Sequence, residues 1–131
     1  MSSKPRSRKN IGARYQQVVA DKIALFSKGK IKYRKTSEDF VSDEPQVRSR
    51  SMAQQGEDIE MTPSAREILP LSFEVKHTQG MKTLDDWYEQ ALSNAPKGTV
   101  PVVAVHRKRS NRMYAILDLN DYLNDVKYFN K

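Results

Sequence analysis

The chain has no cysteine, and this removes a disulfide scaffold, a thiolate metal site and a cysteine nucleophile together. It has only five glycines, none in a Gly-x-Gly arrangement, so the glycine-rich loops that cradle nucleotide phosphates are excluded. No apolar run approaches the roughly 20 residues of a membrane span. The stretch Met1 to Lys9 is basic but lacks the apolar centre of a signal peptide, which gives the expectation of an intracellular, cytoplasmic protein. Two histidines without cysteine make a poor zinc set, and His77 and His106, with polar neighbours, are expected at the surface. Ser72 and Ser93 have no paired base in sight, so acyl-type nucleophilic catalysis has no support.

What is present is charge. Hydrophobic residues make up 37% of the 131-residue chain and charged residues 30%, which points to one packed domain with part of the chain outside it. The net charge of +7 is unevenly spread. Residues 1–35 hold 11 Lys and Arg against a single acid, Asp21, while the other 96 residues hold 12 basic and 15 acidic groups. A basic arm of this density is the footprint of a polyanion partner, because each cation that neutralises a phosphate releases a condensed counterion. The arm alone does not separate DNA from RNA or from an anionic membrane.

Patterning predicts a disordered basic arm over 1–10 and a single domain over 11–131. Ile11, Tyr15, Val18, Val19, Ile23 and Phe26 place apolar groups three and four apart, predicting a helix from Ile11 to Ser27 with Asn10 as cap, Gly29 as stop, and Arg14, Gln17, Asp21 and Lys28 on its polar side. Residues 36–56 read as a long loop. Glu57–Met61 is expected as a short strand, Thr62-Pro63-Ser64 as a helix start, Pro70 as its stop, and Leu71–Lys76 as a second strand, followed by a turn at Gly80. Thr83 should cap a helix running to Asn94, with Leu84, Trp87, Tyr88, Ala91 and Leu92 on its buried side. Val100–His106 and Arg112–Leu117 form an expected hairpin with a cationic tip, and Asp118–Val126 a final helix capped by Asn120. The sum is an α/β core of one small mixed sheet flanked by helices.

One constellation carries chemistry. Strand side chains alternate, so Glu74 and Lys76 share a face roughly 7 Å apart, and Asp58 on the neighbouring strand is placed to share a hard cation with Glu74. Alternation sends the adjacent Glu57 to the opposite face. A lysine beside such a pair can orient a water and offset charge on a phosphate.

The ordered series Gly56-Glu57-Asp58-Ile59, Phe73-Glu74-Val75-Lys76, Trp87-Tyr88-Glu89-Gln90-Ala91 and Val102-Val103-Ala104-Val105-His106-Arg107-Lys108 resembles the PD-(D/E)xK nuclease superfamily, within it the small phage and archaeal Holliday junction resolvase-like endonucleases. The likeness covers roughly residues 56–123 and, more loosely, the first helix. It implies a restriction-endonuclease-like core, with Asp58, Glu74 and the Val75 carbonyl as ligands of Mg²⁺ or Mn²⁺, Lys76 positioning the attacking water, and Gln90 supporting the lysine or the substrate. It also implies cleavage of branched DNA during recombination by a twofold homodimer, with no small-molecule cofactor and no membrane partner. Backbone contacts are expected from Lys4, Arg6, Arg8, Lys9 and Arg14 in the arm and first helix, from Arg48 and Arg50, and from Arg107, Lys108 and Arg109 in the hairpin tip. Family members often carry a Glu on the first helix near the metal; the first helix here offers Gln16, Gln17 and Asp21. The alternative of a different class is a DNA-binding accessory that keeps the nuclease fold without turnover.

Overall fold

The first helix, α1, spans Arg8–Phe26, in a computed structural model that describes residues 8–41, 43–51, 56–78 and 83–125. The expected arm therefore ends earlier than Asn10: Arg8, Lys9 and Asn10 are helical, so Asn10 is not the cap, and Lys4 and Arg6 lie outside the described residues. The helix ends where Lys28 and Gly29 turn left-handed at φ 56° and 87°. That conformation is open to glycine and strained for lysine. Ser27 stitches the turn, its hydroxyl donating to Ala24 O at 2.7 Å and accepting from Ile31 N at 3.0 Å.

Two three-stranded sheets follow, where the sequence suggested one. The first orders β1 (Lys32–Tyr33), β2 (Gln46–Ser49) and β3 (Ile59–Met61), with β1 parallel and β3 antiparallel to β2. Strand β2 lies inside the stretch 36–56 expected to be a loop. Only Val47 there is a buried aliphatic; Gln46 and Ser49 are buried polar residues whose partners are distant. Gln46 exchanges side-chain bonds with Val41 N and O at 3.1 Å each, and Ser49 Oγ meets Thr36 Oγ1 at 2.6 Å. A strand whose polar groups are satisfied by tertiary partners leaves little hydrophobic signal.

Helix α2 (Pro63–Ile68) begins as expected, with Pro63 at its start and the Thr62 hydroxyl accepting from Ala65 N at 3.3 Å. Thr62 also accepts from Gln46 N at 3.0 Å and donates to Glu44 O at 3.0 Å, so one hydroxyl caps the helix and fastens β2 to it. Because β3 turns into α2 after three residues, β3 and β4 do not form a continuous ladder; a main-chain bond from Asp58 N to Phe73 O at 3.1 Å links the two sheets.

The second sheet orders β4 (Leu71–Thr78), β5 (Val100–Arg107) and β6 (Met113–Ile116). β4 and β5 run parallel, joined across α3 (Leu84–Asn94), and β6 returns antiparallel as the expected hairpin. On one face α1 packs Val19 and Ala20 into a core with Ile31, Val47, Ile59, Met61, Ala65 and Ala104. On the other, α3 seats Ala91, with Trp87 and Tyr88, against Val103, Val105 and Ile116. Three local expectations change. Thr83 makes no side-chain cap bond, Leu92 is 52% exposed because it lies off the Trp87–Ala91 stripe, and Phe26 is 76% exposed because α1 runs past the core. The last helix, α4 (Leu119–Asp125), is capped by Asp118, whose Oδ1 accepts from Asp121 N at 3.1 Å, rather than by Asn120, which lies inside it. No helix among the described residues is long and apolar enough to cross a membrane.

Candidate metal and phosphodiester site

Asp58 and Glu74 meet at the link between the sheets, Glu74 on β4 and Asp58 just ahead of β3, which starts at Ile59 rather than at the expected Glu57. The Asp58 main chain is held by Phe73, and its Oδ2 accepts from Val75 N at 2.8 Å. Since the N–H and C=O of one strand residue point to the same side, the Val75 carbonyl faces the side on which its N–H meets Asp58. Glu74 is 1% exposed; its Oε1 accepts from Asn94 Nδ2 at 3.0 Å, and its Oε2 has no hydrogen-bond partner. Lys76 Nζ stands 3.9 Å from Glu74 Oε2 and donates to Gln90 Oε1 at 2.8 Å. The structure thus brings Asp58, Glu74, Val75, Lys76 and Gln90 together. Glu57 is paired away from this group, with Arg50 at 3.3 Å and Arg66 at 3.7 Å, although both it and Asp58 precede β3.

The electrostatics follow from burial. Desolvation, with the neighbouring Asp58 charge added, pushes Glu74 up to about 7, against the opposing pull of Asn94 and Lys76. Asp58 is raised as well, chiefly by burial, opposed by the Val75 N–H. A buried carboxylate oxygen without a partner, beside a second carboxylate, is a place where a cation would relieve a standing repulsion. Only hard oxygen donors are gathered, which suits Mg²⁺ or Mn²⁺. Among the described residues no cluster of three or more His, Cys, Asp or Glu forms, so carbonyl, water and phosphate oxygens would complete the coordination.

Asn94 was not singled out by the sequence, although a signal exists. Four residues of helix rise about 6 Å and two residues of strand about 6.6 Å. With Gln90 opposite Lys76, the residue one turn later on α3 faces Glu74. On α1, Gln16 is 6% exposed with an unpartnered Oε1, whereas Gln17 and Asp21 face solvent. An acid from this helix therefore does not reach the core through Asp21.

The cationic set divides. Arg14 is exposed on α1, and Arg107, Lys108, Arg109 and Arg112 are exposed around the β5–β6 turn, where Arg109 has φ 65°. Arg48 and Arg50 are instead held by the protein. Arg48 lies over Phe40 at 4.3 Å and pairs with Glu60 at 3.5 Å, and Arg50 pairs with Glu57, both arginine side chains being less than a fifth exposed. The histidines are not at the free surface as expected: His77 and His106 are register partners, Nδ1 to Nδ1 at 2.9 Å, stacked with Tyr15 at 4.6 and 4.2 Å. The β4–β5 register, which spacing in sequence does not show, brings them together.

Comparison of the chain with family models, with curated proteins and with solved structures finds no match.

Proposed function

We propose that this chain is a Mg²⁺- or Mn²⁺-dependent endodeoxyribonuclease with a restriction-endonuclease-like core, acting in the cytoplasm as a homodimer on structured DNA such as four-way junctions. The observation that carries the reading is the convergence of Asp58, Glu74 and Lys76, with Glu74 Oε2 buried and without a hydrogen-bond partner. Asp58, Glu74 and the Val75 carbonyl would hold the cation. When bound, it supplies Lewis-acid polarisation of the phosphate and a more acidic water.

The remaining contributions belong to the side chains. Gln90 fixes the Lys76 ammonium, which retains donors for a water or a non-bridging phosphate oxygen beside Glu74. Asn94 fixes the rotamer of Glu74. Hydrolysis joins the water oxygen to phosphorus and breaks the P–O3′ bond, leaving a 5′-phosphate. The exposed cations of α1 and the hairpin tip would grip backbone rather than bases, favouring DNA shape over sequence.

A second reading, a DNA-binding accessory of the same fold without turnover, is favoured by Gln16, an amide where the resembled enzymes often carry an acid. One experiment separates them. Plasmid and synthetic four-way junction are incubated with the protein in Mg²⁺, in Mn²⁺ and in chelator. Cleavage that needs metal and is lost in Lys76→Ala supports the nuclease; cleavage at the original rate in Lys76→Ala overturns the mechanism; binding without cleavage in either metal favours the accessory.

A further inference from the structure

Of the five cations from Lys32 to Arg50, four are paired with glutamates: Lys32 with Glu44, Arg34 with Glu38, Arg48 with Glu60 and Arg50 with Glu57. Lys35 is the exception among the described residues. The acid nearest in sequence, Glu38, is taken by Arg34 and by the Lys35 main-chain N–H. The Lys35 side chain instead borders a cavity of about 510 Å³, lined also by Gln17 of α1, Tyr33 of β1, Thr36, Ser37 and Ser51. Among the described residues no hydrogen bond or ion pair engages the side chains of Gln17, Tyr33, Lys35, Ser37 or Ser51. Thr36 Oγ1 meets Ser49 Oγ at 2.6 Å; Ser49 is buried with no other acceptor, so it donates, and Thr36 keeps its own hydrogen. One aromatic ring, one ammonium, three hydroxyls and one amide thus surround a space of small-ligand size, such sites running from about 300 to 1,000 Å³. Ser51 ties the cavity to the carboxylate site, since it follows Arg50, whose N–H donates to Asp58 O at 2.8 Å.

We propose that this cavity takes one unpaired nucleotide of a DNA strand, its base stacked on Tyr33 and its phosphate on Lys35. Three observations select that occupant. A ring face for a base, a cation for a phosphate, and an amide that both donates and accepts at a base edge are the groups that single-strand recognition uses. Charge selects an anion over a neutral sugar, because residues 1–35, which supply Gln17, Tyr33 and Lys35, hold 11 Lys and Arg against one acid. Tyr33, 38% exposed on an edge strand, is the only ring in the lining, so an apolar protein segment finds little to bury. In a continuous duplex every base is paired and stacked and offers Tyr33 no free face. A branch point or flap beside the scissile phosphate does offer one, which makes the cavity a selector of DNA structure.

This rests on DNA as the substrate of the preceding reading and names the part of it that is selected; binding is measured in chelator, so its failure and the failure of cleavage are distinguishable. Fluorescence anisotropy follows a labelled oligothymidylate and a duplex of equal length. Tyr33→Ala should lower the ratio of single-strand to duplex affinity about 5-fold to 100-fold, the range for one base stacked on an aromatic ring. Tyr33→Phe, which keeps the ring, should retain the wild-type ratio. Lys35→Ala should reduce the slope of log K against log salt for the single strand by about 0.7. Tyr33 and Lys35 are both exposed, so neither substitution empties the core. Thymidine monophosphate, the same ring and phosphate without a chain, should compete far more weakly than the oligomer. A protein that gives these results yet never cleaves DNA in Mg²⁺ would keep the cavity and lose the nuclease reading. No binding of oligothymidylate, equal losses on single strand and duplex in Tyr33→Ala, wild-type single-strand affinity in both Tyr33→Ala and Lys35→Ala, or competition by the monophosphate at the oligomer's own concentration would each overturn the assignment.

Discussion

Asn94 Nδ2 donates to Glu74 Oε1 at 3.0 Å, one helical turn beyond the Gln90 side chain that accepts from Lys76. The two amides hold the acid and the base of the site from one face of α3, so the carboxylate presents a defined edge without a charge partner closer than 3.9 Å. Asn94→Leu should weaken Mg²⁺ binding about 10-fold to 100-fold, the range for partners that orient a metal ligand. Isothermal titration with Mg²⁺ and Mn²⁺ measures it. Unchanged affinity would show that Glu74 needs no such support.

Gln90→Leu tests the other rung. The lysine keeps its charge but loses its 2.8 Å anchor, so turnover on DNA should fall while binding in chelator stays at the wild-type level. Lys76→Ala removes the donor itself and should cost about 10² to 10³ in kcat. Single-turnover cleavage assays on both variants, with a gel-shift control, give the split. A Gln90→Leu protein as slow as Lys76→Ala would mean that the anchor and the charge act as one unit.

Burial of Glu74 makes a pH signature in the metal-free protein. Its folded-state value of about 7 lies above the ordinary 4.5, so between these values the folded state binds more protons than the unfolded chain. The stabilising contribution is complete below about 4.5 and is lost as pH rises through about 7, up to roughly 3 kcal/mol in all. Asp58, also raised, acts in the same direction. Melts in chelator should therefore show Tm falling from about pH 5 to about pH 8, and Mg²⁺ should restore Tm mainly at the upper end. Glu74→Gln should flatten the profile; a wild-type Tm that rises across this window would contradict the raised value.

Much of the site was legible because it depends on short-range geometry. Alternation along β4 places Glu74 with Lys76, and the Thr62-Pro63 pair marks the start of α2 without any tertiary help. What escaped depends on partners far away in sequence. β2 is held by Thr62, Val41 and Thr36 acting on Gln46 and Ser49, so its period-2 pattern is polar where burial would call for apolar residues. The His77–His106 contact follows from the register of β4 on β5, and the exposure of Phe26 from where the sheet stops beneath α1. Periodicity marks a helix face correctly even where no layer covers it.

The arginines expected to meet DNA should separate into two classes. Arg50 is 18% exposed and pairs with Glu57, which is nearly buried and would keep only Arg66 at 3.7 Å, so Arg50→Ala should destabilise the fold by about 1 to 3 kcal/mol. Its effect on DNA binding, measured well below the melting temperature, should be small. Arg48→Ala should act likewise, since the guanidinium spans Phe40 and Glu60. Urea titrations give the stability change and gel shifts the affinity.

The hairpin tip should behave in the opposite way. Lys108 and Arg109 are exposed on a two-strand turn, and removing their charge leaves no buried group unpaired. Lys108→Ala and Arg109→Ala should each leave Tm within a degree or two, since surface changes of this kind fall within about 0.5 kcal/mol. Each cation that meets a phosphate contributes about 0.9 to the slope of log K against log salt, so each substitution should reduce that slope by nearly one unit. The loss should be equal for duplexes of unrelated sequence, because phosphate contacts carry no base information. Fluorescence anisotropy over a salt series measures the slope directly; a wild-type slope in the Lys108→Ala, Arg109→Ala double variant would remove the tip from the DNA surface and leave α1 as the cationic element in contact.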